Sequence, residues 1–324
     1  MAHPQDGKLV TIFGGSGFVG RHIVRALARR GWRIRAAVRR PDLAQHLQPL
    51  GAVGQIMPVQ ANLRDRASIE RALAGSDAVI NAVGILAEGG KQRFMSVHAQ
   101  GARDVAEAAK AAGVKTLVQI SAIGADAESP ALYGRSKAKG EESVFAAFPE
   151  AVILRPSIIF GPEDDFFNRF GAMAQMSPVL PLVGGETKFQ PVFVGDVAEA
   201  AALAVEGKTD AGAIYELGGP EVRSFRSCIE QMLEVIDRKR LIVDLPLGLA
   251  RFQARFLQLL PKAPLTVDQV DMLGRDNVVS EAAIADRRTL DGLGIAGTTM
   301  AAVLPTYLQR FRPQGQFTRG QTVA

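Results

Sequence analysis

The chain has 324 residues, 47% of them apolar, and a formal net charge of +5. This length and apolar content predict one large domain or one and a half, and they exclude a chain that is disordered throughout. The small positive charge does not require nucleic acid, because aromatic residues make up only 6% and no nucleic-acid-binding motif is present, and the single cysteine excludes an internal disulfide.

Strand-like apolar runs alternate with helical segments through the first half of the chain. Glycines follow several of these helical segments, as C-terminal caps do. The alternation is typical of parallel β-α-β units with right-handed crossovers. It predicts an α/β fold, a doubly wound parallel sheet with a smaller C-terminal α/β lobe. The predicted strands are 9–13, 33–38, 55–60, 77–83, 115–121 and 151–155, and the predicted helices are 18–30, 41–49, 65–74, 92–112 and 132–148.

The pattern changes after Pro156, where prolines and glycines cluster as far as Pro191. We therefore predict a first domain over 1–155, a smaller substrate or partner lobe over 156–312 and a tail over 313–324. In the lobe, strands near 189–194 and 213–217 are candidates to join the main sheet. The predicted helices of the lobe are 166–176, 197–206 and 225–238.

A further helix is predicted over 247–260. One side carries polar residues with helical spacing and the other an apolar stripe, which leaves two interpretations. The helix either packs on its own core as an ordinary surface helix, or it is a basic amphipathic helix that lies on a membrane or a partner. The polar residues are Arg251, Arg255 and Gln258, and the apolar residues are Phe252, Phe256 and Leu260.

A glycine-rich turn joins the first strand to the first helix. Gly14 suits a tight turn, Gly17 allows a pyrophosphate to approach the backbone, and Gly20 allows the new helix to pack closely on the sheet. The free N–H groups and positive dipole end of that helix favour phosphate. The turn therefore predicts a dinucleotide-binding Rossmann domain over 1–155. The turn's remaining candidate cofactor contacts are Ser16, Phe18 and Val19.

Tyr133 and Lys137 are spaced i, i+4 and therefore share one helix face, and Ser121 ends the preceding strand. A tyrosine ionises near pH 10, and a neighbouring ammonium lowers that pKa. The serine hydroxyl is suited to orient a substrate oxygen. These three candidate catalytic residues predict acid/base chemistry for hydride transfer to or from a nicotinamide.

With these motifs the chain resembles the short-chain dehydrogenase/reductase superfamily, in its extended or atypical form. The resemblance implies that Lys137 also binds the nicotinamide ribose and that the loop after the fourth strand lines the cofactor. It is carried by the glycine turn, by Ser121, Tyr133 and Lys137, and by the segments 81–84, 154–156, 160–162 and 194–198. The cofactor-binding residues it adds are Ala82, Val83, Gly84 and Pro156.

The end of the second strand bears on the choice of cofactor. Many NAD-specific relatives have an acid there, whereas this chain has Arg39 and Arg40. An arginine suits a 2′-phosphate, so NADP(H) is favoured and NAD(H) is the other candidate. The alternative is that both arginines are solvated loop charges. Asn62 and Leu63 occupy the loop where relatives contact the adenine, and many relatives have Asp in place of Asn62.

Two less generic stretches, 148–170 and 189–197, are similar to the nucleotide-binding accessory subunits of respiratory complex I (NADH:ubiquinone oxidoreductase) and their bacterial relatives. This resemblance implies a tightly held NADPH, a structural role and a peripheral position near the membrane arm. No presequence, signal peptide or long apolar stretch is visible, which predicts a cytoplasmic, non-secreted protein, with contact to the inner membrane left open.

Three functions follow as alternatives. The first is an accessory or assembly-related component of complex I with a structural cofactor. The second is an active reductase, dehydrogenase or epimerase on a small substrate such as a sugar nucleotide or a quinone precursor. The third is a cofactor-sensing regulator. No metal site is expected, because the four histidines lack the spacing of metal ligands.

Overall fold

Strands and helices alternate in the computed structural model, which describes residues 7–258 and 265–314. The strands are β1 (Leu9–Phe13), β2 (Arg33–Val38), β3 (Ile56–Gln60), β4 (Ala78–Asn81), β5 (Thr116–Ile120), β6 (Val152–Pro156), β7 (Ile159–Phe160), β8 (Val179–Val183), β9 (Lys188–Phe189), β10 (Val192–Phe193), β11 (Ile214–Leu217), β12 (Arg223–Ser224) and β13 (Leu241–Leu245). The α-helices are α1 (Phe18–Arg29), α2 (Arg66–Leu73), α3 (Gly101–Ala111), α4 (Leu132–Ala147), α5 (Phe166–Met176), α6 (Val194–Val205), α7 (Phe225–Val235), α8 (Leu247–Leu257), α9 (Val267–Leu273), α10 (Glu281–Ala285) and α11 (Met300–Tyr307). A π-helical turn over Met95–Gln100 leads into α3, and 3₁₀ segments cover Pro41–Leu50, Asp291–Leu293 and Leu308–Phe311.

Seven parallel strands form the main sheet in the order β11-β6-β5-β4-β1-β2-β3, which confirms the predicted fold class. The order reverses direction at β1, which pairs with β2 on one side and β4 on the other. Open α/β sheets bind ligands at such a switch point, outside the carboxyl ends of the strands. The glycine turn after β1 and the loop after β4 both lie at that position.

Both faces of the sheet are buried, as the continuous apolar runs predict. Phe13 and Val79 point to one face, where they pack with residues of α2, α3 and α4 such as Ile69 and Val105. The alternate residues along the strands, among them Ile12, are also buried. The strands are therefore held rigidly, which gives the loops at their carboxyl ends fixed starting points.

The described residues form two compact units. The first contains 7–156, 194–217 and 279–296, and the second contains 157–193, 218–258, 265–278 and 297–314. The sequence prediction assigned 156–312 to the smaller lobe, with the strand near 213–217 as a candidate to join the main sheet; in the structure that strand is β11 of the main sheet, and segments 194–217 and 279–296 belong to the first unit. Segment 194–217 belongs there because β11 extends the main sheet beside β6, and segment 279–296 contacts β11, where the N–H of Glu216 donates to the carbonyl of Arg288 at 3.0 Å.

Other differences from the predicted elements have local causes. The predicted strand 189–194 is interrupted at Pro191, which has no N–H for a strand ladder, and leaves two-residue strands outside the main sheet: β9 pairs with β12, and β10 with β7. Segment Pro41–Leu50 is 3₁₀ rather than α, with Pro49 inside it. Strands β8 and β13 were not predicted; they pair in parallel within the second unit. Of the predicted helix 247–260, α8 ends at Leu257, and residues 259–260 lie outside the described residues.

Among the described residues, no helix combines the length and hydropathy that a membrane span requires.

Candidate cofactor and active site

The glycine turn joins β1 to α1 through four residues, 14–17, that are held by backbone hydrogen bonds. Gly14 has φ of +77°, which favours glycine, and its N–H donates to the carbonyl of Ala37 at 3.0 Å. The N–H of Gly17 donates to the carbonyl of Gly14 at 2.9 Å. Helix α1 begins at Phe18 with Gly17 as its N-cap and without a side-chain cap. The helix N-terminus thus presents backbone N–H groups, which suit an anion.

A side chain at Gly20 would collide with the turn, and side chains at Gly14 and Gly17 would make tight contacts with the turn or the adjacent loop. A Cβ at Gly20 would lie 2.1 Å from the Gly14 carbonyl oxygen, and one at Gly17 would lie 3.3 Å from the same atom. A Cβ at Gly14 would lie 3.1 Å from the carbonyl oxygen of Ala82 and from Cγ2 of Val83. The turn therefore packs directly on the loop after β4, which brings two predicted cofactor-contacting segments together. Ser16, Phe18 and Val19 are partly exposed beside it.

The loop after β4 is fixed by a buried amide network. Asn81 Oδ1 accepts the N–H of Val83 at 3.2 Å, and Asn81 Nδ2 donates to Gln119 Oε1 at 2.9 Å. Gln119 Nε2 in turn donates to the carbonyl of Ile120 at 2.9 Å. The ends of β4 and β5 are thereby joined through side chains. The sequence analysis identified the loop but not Gln119, whose role depends on a partner 38 residues away.

The three candidate catalytic residues lie at the carboxyl end of β5 and at the start of α4. Lys137 is 6% exposed, and its Nζ donates to the carbonyl of Ile120 at 3.4 Å. The same Nζ lies 5.8 Å from the centre of the half-buried Tyr133 ring and 3.5 Å from the position of a Cβ on Gly84. Ser121 directly follows Ile120 and is buried. The structure thus brings Lys137, Tyr133, Gly84 and the end of β5 together.

The hydroxyl of Ser121 is a buried polar atom without a hydrogen-bond partner in the described part of the chain. Such a group is costly unless something satisfies it, so it indicates a place for a ligand. Together with the glycine turn, whose Gly14 has a positive φ and whose helix N-terminus presents backbone N–H groups, it meets the requirement for a dinucleotide with an adjacent substrate oxygen. The residues present therefore fit the predicted cofactor.

Burial shapes the electrostatics of the pair on α4. Loss of solvent lowers the pKa of Lys137 to about 8, and the negative charge of Glu141 one turn further along opposes this change. At neutral pH the amine is mostly protonated, so a positive charge lies beside Tyr133. Glu141 is held by a two-point ion pair with Arg155, whose Nε donates to it at 2.9 Å.

His98, which the sequence analysis did not identify, lies between the loop after β4 and α4. Its Nε2 accepts the N–H of Ile85 at 3.0 Å, so the ring proton is on Nδ1, which donates to Ser136 Oγ at 2.9 Å. Ser136 Oγ donates to the carbonyl of Tyr133 at 2.7 Å. Burial and the charge of Lys137 lower the pKa of His98 to about 3, so the ring is neutral at physiological pH. No motif marks this histidine; its position between the buried Val97 and Ala99 is the only local signal.

The two arginines after β2 have different surroundings. Arg40 pairs with Asp42 at 2.6 Å, whereas Arg39 is exposed and forms no salt bridge with any residue that the structure describes. After the adjacent strand β3, Asn62 Oδ1 accepts the N–H of Arg64 at 3.1 Å, and Leu63 packs against Gly101. Arg39 and the Asn62–Leu63 loop therefore follow neighbouring strands at the same edge of the sheet.

Pro156 is buried at the end of β6, where its carbonyl accepts the N–H of Ile123 at 2.9 Å. This bond places the segment after Ser121 beside the end of β6. Within residues 7–258 and 265–314, no group of three or more His, Cys, Asp or Glu side chains converges as metal ligands would.

Comparisons with known proteins agree with this architecture. The model of the NAD dependent epimerase/dehydratase family matches residues 10–218. The chain is 36% identical over 293 residues to the mitochondrial NADH dehydrogenase (ubiquinone) 1 alpha subcomplex subunit 9 of Arabidopsis thaliana, covering 86% of this chain and 73% of that protein. It is 36% identical over 190 residues to the ceramide reductase of Caulobacter vibrioides, covering 59% of this chain and 58% of that protein.

The fold is also found among solved structures. An NADPH-dependent quinone oxidoreductase of Escherichia coli complexed with NADPH superposes with a TM-score of 0.70 at 22% identity, covering 92% of this chain and 98% of that one. The chain therefore belongs to the NAD dependent epimerase/dehydratase family, within the short-chain dehydrogenase/reductase superfamily. More narrowly, it belongs to the sequence family of the alpha subcomplex subunit 9 proteins, which confirms the resemblance predicted from the sequence.

Proposed function

We propose that the chain holds NADP(H) at the glycine turn and serves as an accessory or assembly-related component of respiratory complex I. The observation that carries the proposal is the similarity to the plant subunit, which extends over 86% of the chain. A retained nucleotide stabilises the fold that binds it, which suits a structural role. The partners are then complex I subunits, and the location is the cytoplasmic face of the inner membrane.

The choice of NADP(H) over NAD(H) depends on Arg39. It follows β2, where a dinucleotide's adenine ribose lies in Rossmann folds, and no acid of the described residues neutralises it. A guanidinium recognises a phosphate through charge-assisted, paired hydrogen bonds. Arg40 is engaged by Asp42, so Arg39 is the arginine that we assign to the 2′-phosphate.

The proposal is tested by purifying the tagged chain from its native membranes in mild detergent. We expect complex I subunits in near-stoichiometric amounts and NADPH in the purified sample, identified by mass spectrometry and by fluorescence after denaturation. The matched control is the Gly20→Val variant, which disrupts the glycine turn because its Cβ would lie 2.1 Å from the Gly14 carbonyl oxygen. Recovery of the chain alone from the soluble fraction would contradict the accessory role, and recovery without nucleotide would contradict the structural cofactor.

An active reductase or epimerase is the second candidate, favoured by the buried cation beside Tyr133 and the unpartnered Ser121 hydroxyl. In this function Ser121 would hold a substrate carbonyl oxygen, and Tyr133 would give that oxygen a proton. Lys137 would stabilise the resulting phenolate. The bound nicotinamide would supply the hydride. The similarity to a ceramide reductase is consistent with such chemistry, and the substrate class proposed is a small carbonyl compound such as a sugar nucleotide or a quinone precursor.

We also propose that α8 makes the peripheral membrane contact. The helix packs on the second unit through Ala250 and Ala254, which are fully buried, while Phe252 and Phe256 are 60% and 61% exposed. The two exposed rings contact each other with centres 5.2 Å apart. The helix carries two arginines and no acidic residue, although one of them, Arg251, lies 3.4 Å from Asp271. Aromatic residues beside arginines are typical of a helix on an anionic bilayer.

Vesicle co-sedimentation tests this contact. Binding to vesicles of phosphatidylglycerol and phosphatidylcholine is expected to fall strongly with Phe252→Ser combined with Phe256→Ser, because the apolar face is lost. Val222→Ser, which alters another exposed apolar residue of the second unit, is the matched control and should bind like the wild type. Unchanged binding of the double variant would place the membrane contact elsewhere.

A further inference from the structure

A buried histidine connects the two segments that carry the candidate cofactor site. His98 is 3% exposed and belongs to the π-helical turn that leads into α3. Its ring stacks on Phe94 with centres 5.5 Å apart and meets the edge of Tyr133 at 5.4 Å. The ring therefore lies against the loop after β4 on one side and against α4 on the other.

Each ring nitrogen serves a different segment. Nε2 takes the N–H of Ile85, the residue after the Ala82–Gly84 loop. Nδ1–H donates a hydrogen bond to Ser136 Oγ, and the Ser136 hydroxyl donates one to the backbone carbonyl of Tyr133. Three hydrogen bonds thus follow one another with the same donor-to-acceptor direction. They run from the Ile85 N–H to the imidazole, from the imidazole to the Ser136 hydroxyl, and from the hydroxyl to the Tyr133 carbonyl. Only the neutral Nδ1–H ring completes this chain, because a protonated ring has no acceptor for Ile85.

We infer that His98 is a positioning residue that holds the loop Ala82–Gly84 against Lys137 and Tyr133 and so shapes the part of the site that takes the nicotinamide half of the cofactor. Gly84 and Lys137 are already close: a Cβ on Gly84 would lie 3.5 Å from Lys137 Nζ and 3.8 Å from His98 Nε2. A shift of the loop at Gly84 would change the space around the lysine, whereas Arg39 and the Asn62–Leu63 loop, which we assign to the adenine half, follow the separate strands β2 and β3. This inference rests on the proposed binding of NADP(H).

The neutral ring also fits its neighbour. A second cation beside the buried Lys137 would raise the cost of keeping the ammonium charged. An uncharged imidazole supplies the same two hydrogen bonds without that repulsion. The position thus allows one positive charge, on Lys137, to act on Tyr133 and on the ribose.

The test compares two ligands that share the adenine half, NADPH and adenosine 2′,5′-bisphosphate, by calorimetric titration of the full chain. For His98→Leu we expect NADPH to bind about thirtyfold more weakly, because both hydrogen bonds that hold the loop and α4 to the ring are lost, and the bisphosphate to bind within about twofold of the wild type. Ser136→Ala breaks only the link to α4 and should weaken NADPH by about threefold to fivefold. If His98→Leu does not fold, the NADPH affinity of Ser136→Ala still tests the inference.

Val144→Ala changes a buried residue of α4 that takes no part in these hydrogen bonds. It is the control for a general loss of stability and should leave both affinities unchanged. Nitrogen NMR of the wild type should show His98 as the neutral Nδ1–H form. Equal weakening of both ligands, or no weakening of NADPH in either variant, would overturn the inference. Failure of the wild type to bind NADPH would instead contradict the proposed function.

Discussion

Helices α4 and α8 differ in opposite directions from the usual pattern of buried apolar and exposed charged side chains. Helix α4 buries a lysine, 6% exposed, at a position where an apolar residue would cost less. Helix α8 buries two alanines and exposes two phenylalanines that could have been buried. Each arrangement gives up stability, so each points to a function that the packing of the fold alone does not require.

The two helices also differ in which groups contact these unusual side chains and offset their cost in stability. On α4 the compensating groups are within the first unit: the Ile120 carbonyl, the ring of Tyr133 and the Glu141 charge. On α8 no described aromatic residue outside the pair contacts the two rings, and both rings stay more than half exposed. The comparison therefore sets a buried charge with partners inside its own unit against an exposed aromatic pair, which we proposed as a membrane contact.

The largest effect is expected at α4, from Tyr133→Phe. If the chain is an active enzyme, this variant loses the acid/base hydroxyl, and turnover should fall by a factor of at least about 100. The affinity for NADPH should stay nearly unchanged, because the ring that lies beside Lys137 remains. Steady-state rates and calorimetric titration measure both. Full activity in this variant would remove Tyr133 from the mechanism, and absence of turnover in the wild type would leave the structural role.

The second effect concerns the electrostatic cost of Lys137. Its pKa is about 8 in the folded chain and 10.5 in the unfolded reference, so the unfolded state binds more protons between these values. Stability therefore rises with pH in this window, by on the order of 2–3 kcal/mol from pH 7 to pH 10. Lys137→Met should lack that rise and should be more stable than the wild type at pH 7.

Urea unfolding at several pH values measures this difference. Lys139→Met, two residues further along α4 at an exposed position paired with Glu142, is the matched control and should follow the wild-type pH dependence. If Lys137→Met had the same pH dependence of stability as the wild type, burial of the lysine would carry no electrostatic cost. The contrast drawn between α4 and α8 would then not hold for α4.

How much of each helix could be predicted differs for a physical reason. The spacing of Tyr133 and Lys137 lies within one helical turn, so the sequence places both on one face, and the glycine turn is equally local. His98, Gln119 and Ser136 escaped prediction because their partners are brought together only by the sheet and its crossovers. The catalytic and cofactor-binding roles assigned to the site residues, Tyr133 and Lys137 among them, all stay predictions.

For α8 the sequence predicted a helix but left open which face is buried. Hydrophobicity alone favours the stripe of phenylalanines, whereas the structure buries the alanines. Small side chains let α8 pack closely on its neighbours around Val183 and Val270, a matter of shape that a hydropathy pattern does not contain. The interruption of the predicted strand at Pro191 is, in contrast, a local effect that the absence of an N–H explains.

A third effect tests the adenine end of the site, which is far more exposed than α4. Arg39→Asp should weaken NADPH by about tenfold to a hundredfold and NADH much less, because it replaces attraction to a 2′-phosphate by repulsion. Arg40→Asp is the matched control, since Arg40 already pairs with Asp42, and it should discriminate less between the cofactors. Equal weakening of NADPH and NADH by Arg39→Asp would withdraw the assignment of the 2′-phosphate.

The smallest effect is expected on α8 and completes the contrast. Phe256→Ser should change the free energy of unfolding by no more than about 0.5 kcal/mol, because its side chain is 61% exposed and leaves little burial to lose. Ala254→Leu, two residues earlier on the buried face, should cost about 1–3 kcal/mol by overpacking. Urea unfolding of the chain without membranes compares the two. If Phe256→Ser were the more destabilising change, the ring would be part of the chain's own core, and the surface proposed for a membrane would lose one of its two exposed aromatic residues.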